Sequence, residues 1–150
     1  MNRALVVTVL TTVLSSLATA VMAQESREYI NARSATDPNA APFSGAVRVG
    51  NTLYLSGTLG LDPGQQVPAT AEAEARNVLN NIKGTLEAAG MTMDDLVSIQ
   101  VFCSDVSDYD AFNRVYRTYF TREFPARAFL GAGTLLFGAR FEVLGIAVRR

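Results

Sequence analysis

Histidine is missing from this chain, and Cys103 is its one cysteine. Without an imidazole there is no Ser-His-Asp or Cys-His pairing to activate a nucleophile. The usual zinc and copper ligands are missing for the same reason. A lone thiol closes no disulfide within the chain, even in an oxidising compartment. Basic charge is short as well. Thirteen Lys and Arg stand against 14 Asp and Glu, with no basic run, so nucleic acid is not an expected partner. Any chemistry falls to carboxylates, arginines, hydroxyls, backbone groups and water, with no metal expected.

One long apolar run is present, at the start. Met1-Asn2-Arg3 carries a positive charge, residues 4–20 are uncharged and mostly apolar, and Val21-Met22-Ala23 closes the run with an A-x-A-like site. That layout reads as a signal peptide over residues 1–23, removed on secretion, to the periplasm in a Gram-negative source. The rival is a membrane anchor, since the run approaches spanning length. Thr11-Thr12, Ser15-Ser16 and Thr19 interrupt it and weigh against that rival. No second apolar span follows, so no membrane association is expected after cleavage. Residues 24–35 are polar and read as a flexible segment, or as a short edge strand over 27–32. Residues 36–150 have the size of one domain.

Ala46-Val47-Arg48-Val49 and Thr52-Leu53-Tyr54-Leu55-Ser56 alternate on either side of Gly50-Asn51, the pattern of a β-hairpin. From Thr70 the period changes. Ala71, Ala75, Val78, Leu79, Ile82, Leu86 and Ala89 recur at spacings of three and four, one face of a helix capped by Thr70 and stopped at Gly90. Val97, Ile99, Val101 and Cys103 then share one face of a strand. A second helix is expected over residues 108–121. Ser107 is its N-cap, Asp110 completes a capping box, and Phe112, Val115, Tyr116 and Tyr119 form its apolar stripe. Pro125 follows its end, residues 127–130 form a strand, and residues 140–149 form a final strand that is apolar on both faces. This order predicts an α+β sandwich, two helices on one face of a mixed sheet. The apolar second face predicts a homo-oligomer.

Arg127 sits at the mouth of the apolar strand Ala128-Phe129-Leu130. A guanidinium there either solvates the strand end, pairs with an internal acid such as Glu142, or grips an anionic ligand. Glu142 has the matching alternatives, a partner for Arg140 or Arg127 or a place near the ligand. Cys103 reads as core rather than as a reactive thiol, since no basic neighbour in sequence lowers its pKa.

Five stretches together resemble one family. Ala41-Pro42-Phe43-Ser44, Gly50-Asn51-Thr52-Leu53-Tyr54-Leu55-Ser56-Gly57, Glu87-Ala88-Ala89-Gly90, Phe124-Pro125-Ala126-Arg127 and Ile146-Ala147-Val148-Arg149 stand in the order and spacing of the RidA/YjgF family of reactive-intermediate deaminases. The resemblance implies a chorismate-mutase-like fold with a six-stranded sheet, assembled as a homotrimer with a ligand cleft at each subunit interface. It implies cofactor-free hydrolysis of 2-imino acids, 2-iminobutanoate and 2-iminopropanoate, to 2-oxo acids and ammonia. By the same resemblance Arg127 grips the substrate carboxylate, Ser56-Gly57 lies beside the ligand, and Asn113 is a pocket asparagine. Phe43 stands where the family often has tyrosine, next to Ser44. Phe129 stands where a well-studied branch has cysteine. Counting back from Ile146-Ala147-Val148-Arg149, the glutamate that helps hold the attacking water falls at Leu144. Glu142 is two residues earlier on the same strand face, roughly 6–7 Å away. Arg127 and Glu142 are thus the candidate catalytic pair. A binding protein for small 2-oxo or related carboxylates, or a chaperone-like oligomer, are the alternative functions.

Overall fold

The structure, a computed structural model, describes residues 26–150. The signal peptide read over residues 1–23 lies outside the described residues. Six strands form one sheet. They are β1 (Arg27–Ile30), β2 (Ala46–Val49), β3 (Thr52–Leu59), β4 (Leu96–Cys103), β5 (Ala126–Gly131) and β6 (Phe141–Val148). Helices α1 (Ala71–Ala88) and α2 (Tyr109–Tyr116) cover one face. The strand order is β1-β2-β3-β6-β4-β5, with β4 and β5 parallel and the other pairs antiparallel. The polar segment before residue 36 thus supplies an edge strand, pairing Arg27 with Val49 through Ile30 with Ala46.

Local chemistry explains the element ends. Gly50 turns the β2–β3 hairpin at φ +57°, a region that favours glycine. Thr70 Oγ1 accepts from the Ala73 N–H at 3.1 Å and caps α1. At the other end Gly90, φ +67°, lets its own N–H donate to the Glu87 carbonyl and the Met91 N–H to the Leu86 carbonyl, both at 2.9 Å, a Schellman closure. The buried face of α1 is the face read from spacing, Ala71, Ala75, Val78, Leu79, Ile82 and Leu86.

Two expectations are corrected. Val97 does not join the core face of β4. The β4–β6 register shifts between Leu96 and Ser98, and this irregularity buries Leu96 and leaves Val97 exposed. Ser107 does not cap the second helix. The Asp105 carboxylate accepts from the Ser107 N–H at 2.9 Å and starts a short 3-10 turn, Val106–Asp108. The helix proper is only Tyr109–Tyr116, continued by a second 3-10 turn, Arg117–Tyr119. Phe112, Val115 and Tyr116 of its stripe are buried, and Tyr119 packs against the core. Cys103 is core as expected. It is fully buried, burial raises its pKa, and its thiol donates to the Asp105 carbonyl.

One buried charge ties the two layers together. Glu74, on α1, has no exposed surface. Its carboxylate accepts from the Arg140 N–H at 2.5 Å, the Phe141 N–H at 3.0 Å and Arg140 Nη1 at 2.9 Å. This fixes the start of β6 and so the position of Glu142. Gly60 permits the close approach, because a Cβ there would strike the α1 backbone at Glu74 and Val78. Removing one partner from a buried charge pair leaves the other uncompensated, at about 3–5 kcal/mol. Exposed pairs are worth about 0–1 kcal/mol. Glu74→Ala is therefore expected to lower urea-unfolding stability by about 3–5 kcal/mol, and Glu87→Ala, which breaks the exposed Lys83–Glu87 pair, by less than about 1. Equal losses would contradict this placement.

Candidate functional site

After α2 and its 3-10 turn, Pro125, which cannot extend a helix, immediately precedes β5. β5 runs parallel to β4 with Arg127 beside Ile99 and Phe129 beside Val101. Those partners face the helices, so Arg127 and Phe129 face them too. At this sheet edge the guanidinium meets aromatic rings instead of an acid. Its carbon lies 4.6 Å from the Tyr116 ring centre, 5.8 Å from Tyr109 and 5.9 Å from Phe129. Such cation–ring contacts recover part of the desolvation cost, up to about 2 kcal/mol when water is excluded.

The cage leaves hydrogen-bonding capacity unused. Among the described residues, the buried side-chain polar atoms without a partner are Arg127 Nη1 and Tyr116 Oη. Leaving a buried donor unpaired costs about 1–3 kcal/mol, so each such group asks for an explanation. Here both residues border one cavity of about 170 Å³, together with Asn113, Arg117, Phe124 and Pro125. Burial pushes the Tyr116 phenol up to about 12, although the Arg127 cation acts to lower it. The phenol therefore keeps its proton at neutral pH. Two unpartnered donors, one of them cationic, thus belong to residues that border the same cavity.

The remaining expected residues gather elsewhere. Glu142 lies opposite Leu59 of β3 and Phe102 of β4, on the face away from the helices. The β3–β6 register shifts between Leu55 and Thr58, leaving Ser56 and Gly57 out of the ladder. A Cβ at Gly57 would overlap Glu142 Oε1, so glycine at this position admits the carboxylate. Ser56 is held by the N-terminal loop: its hydroxyl donates to the Ser44 carbonyl at 2.7 Å and its N–H to the Gly45 carbonyl at 3.0 Å. Phe43, 57% exposed, borders with Ser56, Gly57 and Glu142 a cavity of about 730 Å³. Ser44 borders the adjoining groove.

The eight expected residues thus separate. Arg127, Asn113 and Phe129 stand at the helix-side edge, and Phe43, Ser44, Ser56, Gly57 and Glu142 on the open face. Glu142 pairs with neither arginine proposed for it, since Arg140 is taken by Glu74 and Arg127 has no acid within ion-pair distance. Leu144, opposite Gln100, is not among the residues bordering the Glu142 cavity. The carboxylate against Gly57, where the β3–β6 register shifts, is that of Glu142. Tyr116 and Arg117 are cavity residues that the sequence reading did not assign. Among the described residues, no group of three or more His, Cys, Asp or Glu is placed to hold a metal ion, and no helix is long and apolar enough to cross a membrane.

Two helices on a mixed six-stranded sheet, with an orphaned arginine at one edge, define a small α+β domain. Residues 34–149 match the family described as endoribonuclease L-PSP, and the chain belongs to that family, the RidA/YjgF group whose motifs it carries. A 2-iminobutanoate/2-iminopropanoate deaminase of Capra hircus is 44% identical over 110 residues, covering 72% of this chain and 80% of the relative. The crystal structure of RidA from an Antarctic Psychrobacter has 34% identity and a TM-score of 0.69, covering 81% of this chain and 99% of that one. That of E. coli TdcF with bound serine has 29% identity and a TM-score of 0.70, covering 74% of this chain and 91% of that one.

The phenol gives a test of the pocket's burial. Tyr116 keeps its proton in the folded chain up to about pH 12, against a reference value of 10.0. Its contribution to stability is complete below pH 10 and is lost as pH rises through 12, roughly 2–3 kcal/mol in all. Between pH 10 and 12 the urea midpoint should fall further in the native sequence than in Tyr116→Phe. Parallel pH curves would contradict a buried, protonated phenol.

Proposed function

We propose that the protein hydrolyses small 2-imino acids to 2-oxo acids and ammonia, as a deaminase. The observation that carries the reading is that Arg127 and Tyr116, in contact and each with an unpartnered donor, border one small cavity. Names of relatives near 40% identity point the same way. Arg127 and Tyr116 hold the substrate carboxylate, which leaves the C=N carbon in a fixed place. Asn113 orients the ligand from the α2 side of the cavity.

Glu142 is the proton carrier in this reading. It takes a proton from water as the water oxygen bonds to the imine carbon, and hands that proton to the nitrogen to give a carbinolamine. It then takes the hydroxyl proton as the new carbonyl forms and the C–N bond breaks, and returns it to the nitrogen, which leaves as ammonia. Water is the only co-reactant. Ser56 and Gly57 border the same space, and Phe43 shields it from bulk solvent.

Arg127 and Glu142 face opposite sides of one protomer's sheet, so the reacting centre is proposed to lie between protomers of a homotrimer. The open face supports this. Tyr54 on it is half exposed, and Leu144 and Ile146 are only half buried. Neighbouring copies would cover that surface. With the leader read in residues 1–23, the proposed place of action is outside the cytoplasm.

The test generates 2-iminopropanoate with an amino-acid oxidase and traps what remains with semicarbazide. The native sequence should speed loss of the imine, and Arg127→Ala should reduce that rate at least about 100-fold, the loss of a charge-assisted bidentate contact. No difference between native protein and no protein would overturn the deaminase reading. Tight pyruvate binding that vanishes in Arg127→Ala would then favour a non-catalytic binding protein.

A further inference from the structure

The cavity that holds Arg127 has a second cationic wall. Arg117, on the 3-10 turn after α2, borders it opposite no acid: the lining residues are Asn113, Tyr116, Arg117, Phe124, Pro125 and Arg127. Neither Arg117 nor Arg127 makes an ion pair among the described residues, whereas neighbouring Arg114 is paired with Glu72. Aromatic packing fixes both cations on one surface. Arg117's guanidinium carbon lies 5.9 Å from the Phe124 ring centre, Phe124 stacks on Tyr116 at 6.0 Å and 23°, and Arg127 lies over Tyr116. Two guanidiniums on one cavity of about 170 Å³ raise a local field that a single carboxylate neutralises only by half. That volume equals five or six waters at about 30 Å³ each, the scale of a small diacid rather than of a drug-sized ligand.

We propose that Arg117 is a specificity-determining residue which selects 2-imino and 2-oxo acids carrying a second carboxylate on the side chain. This rests on the Arg127 site being the carboxylate site proposed above. Arg127 and Tyr116 take the carboxylate next to the reacting carbon, and Arg117 takes the distal one across the cavity. A neutral side chain of the same length leaves Arg117 solvated, so discrimination comes from the distal charge rather than from size. Because Arg117 is exposed and Arg127 Nη1 is buried, the distal pair is the more salt-sensitive of the two.

The experiment is calorimetric titration of the full chain with oxaloacetate and with pyruvate, which differ by the distal carboxylate. The native sequence should bind oxaloacetate at least about tenfold more tightly. That ratio should fall to near one in Arg117→Gln and recover in part in Arg117→Lys, and Arg127→Ala should weaken both ligands. Raising the salt should lower the ratio. A native ratio near one, or one that Arg117→Gln preserves, would overturn the proposal. The two readings fail separately. If the ratio behaves as expected while imines are not hydrolysed, the diacid pocket stands without the deaminase. If imines are hydrolysed but the ratio is near one, the deaminase stands without the diacid preference.

Discussion

A β-strand sends successive side chains to opposite faces, and this constraint decides what each part of the molecule can do. β5 lies parallel beside β4 with Arg127 in line with Ile99, so Arg127 must face the helices. β6 runs antiparallel on the other side of β4 with Glu142 in line with Phe102, so Glu142 must face away from them. No side-chain rotation exchanges those faces. The carboxylate grip and the acid proposed for proton transfer are therefore separated by the sheet within one protomer. A site that uses both has to be built from two copies, and the half-covered apolar residues of the open face supply the surface for it.

Each half is set by a different kind of interaction. On the helix side the chain keeps a cation in an aromatic cage and gives it no acid, leaving Arg127 Nη1 and Tyr116 Oη unpaired. That arrangement is poor for stability and good for binding an anion, since the ligand completes bonds that folding leaves open. The open-face half is tied down at its backbone supports. Ser56 is bonded twice to the N-terminal loop, and Glu142 follows directly on Phe141, whose N–H is held by buried Glu74. Rigid support stands behind the acid, and unsatisfied donors stand where the proposed substrate's carboxylate would lie.

Much of this was legible in the chain. The 3.6-residue spacing of Ala71 through Ala89, with Thr70 and Gly90 at its ends, fixed α1 because burial, cap and stop agree. The last strand read as apolar on both faces, and of these the Phe141, Val143, Gly145 and Ala147 face is the one buried within the protomer. Misses came where one signal had competitors. Val97 alternates correctly with Ile99, but the register shift at Leu96 turns it out, and bulges leave no mark in a two-residue pattern. Asp105 and Ser107 are both good caps, and Asp105 takes the Ser107 N–H itself, so the chain enters a 3-10 turn before the helix. Tyr116 fell into the apolar stripe because its ring is core, while its hydroxyl is a cavity donor; a phenol ending such a stripe was the available signal. Glu142 and Leu144 share a face; Leu144 lies opposite the strand bulge, yet it is the Glu142 side chain that reaches Gly57, which a face pattern does not reveal.

The central claim is that the reacting groups meet between protomers, and mixing inactive variants tests it most directly. Arg127→Ala and Glu142→Gln are each expected to be inactive alone in imine hydrolysis. Denatured together in equal amounts and refolded, they form rings in which an intact Arg127 faces an intact Glu142 at about one interface in four, whatever the ring size. The account predicts recovery to about a quarter of native activity. Activity that stays at the level of the separate variants, with mixed oligomers demonstrably formed, would contradict it.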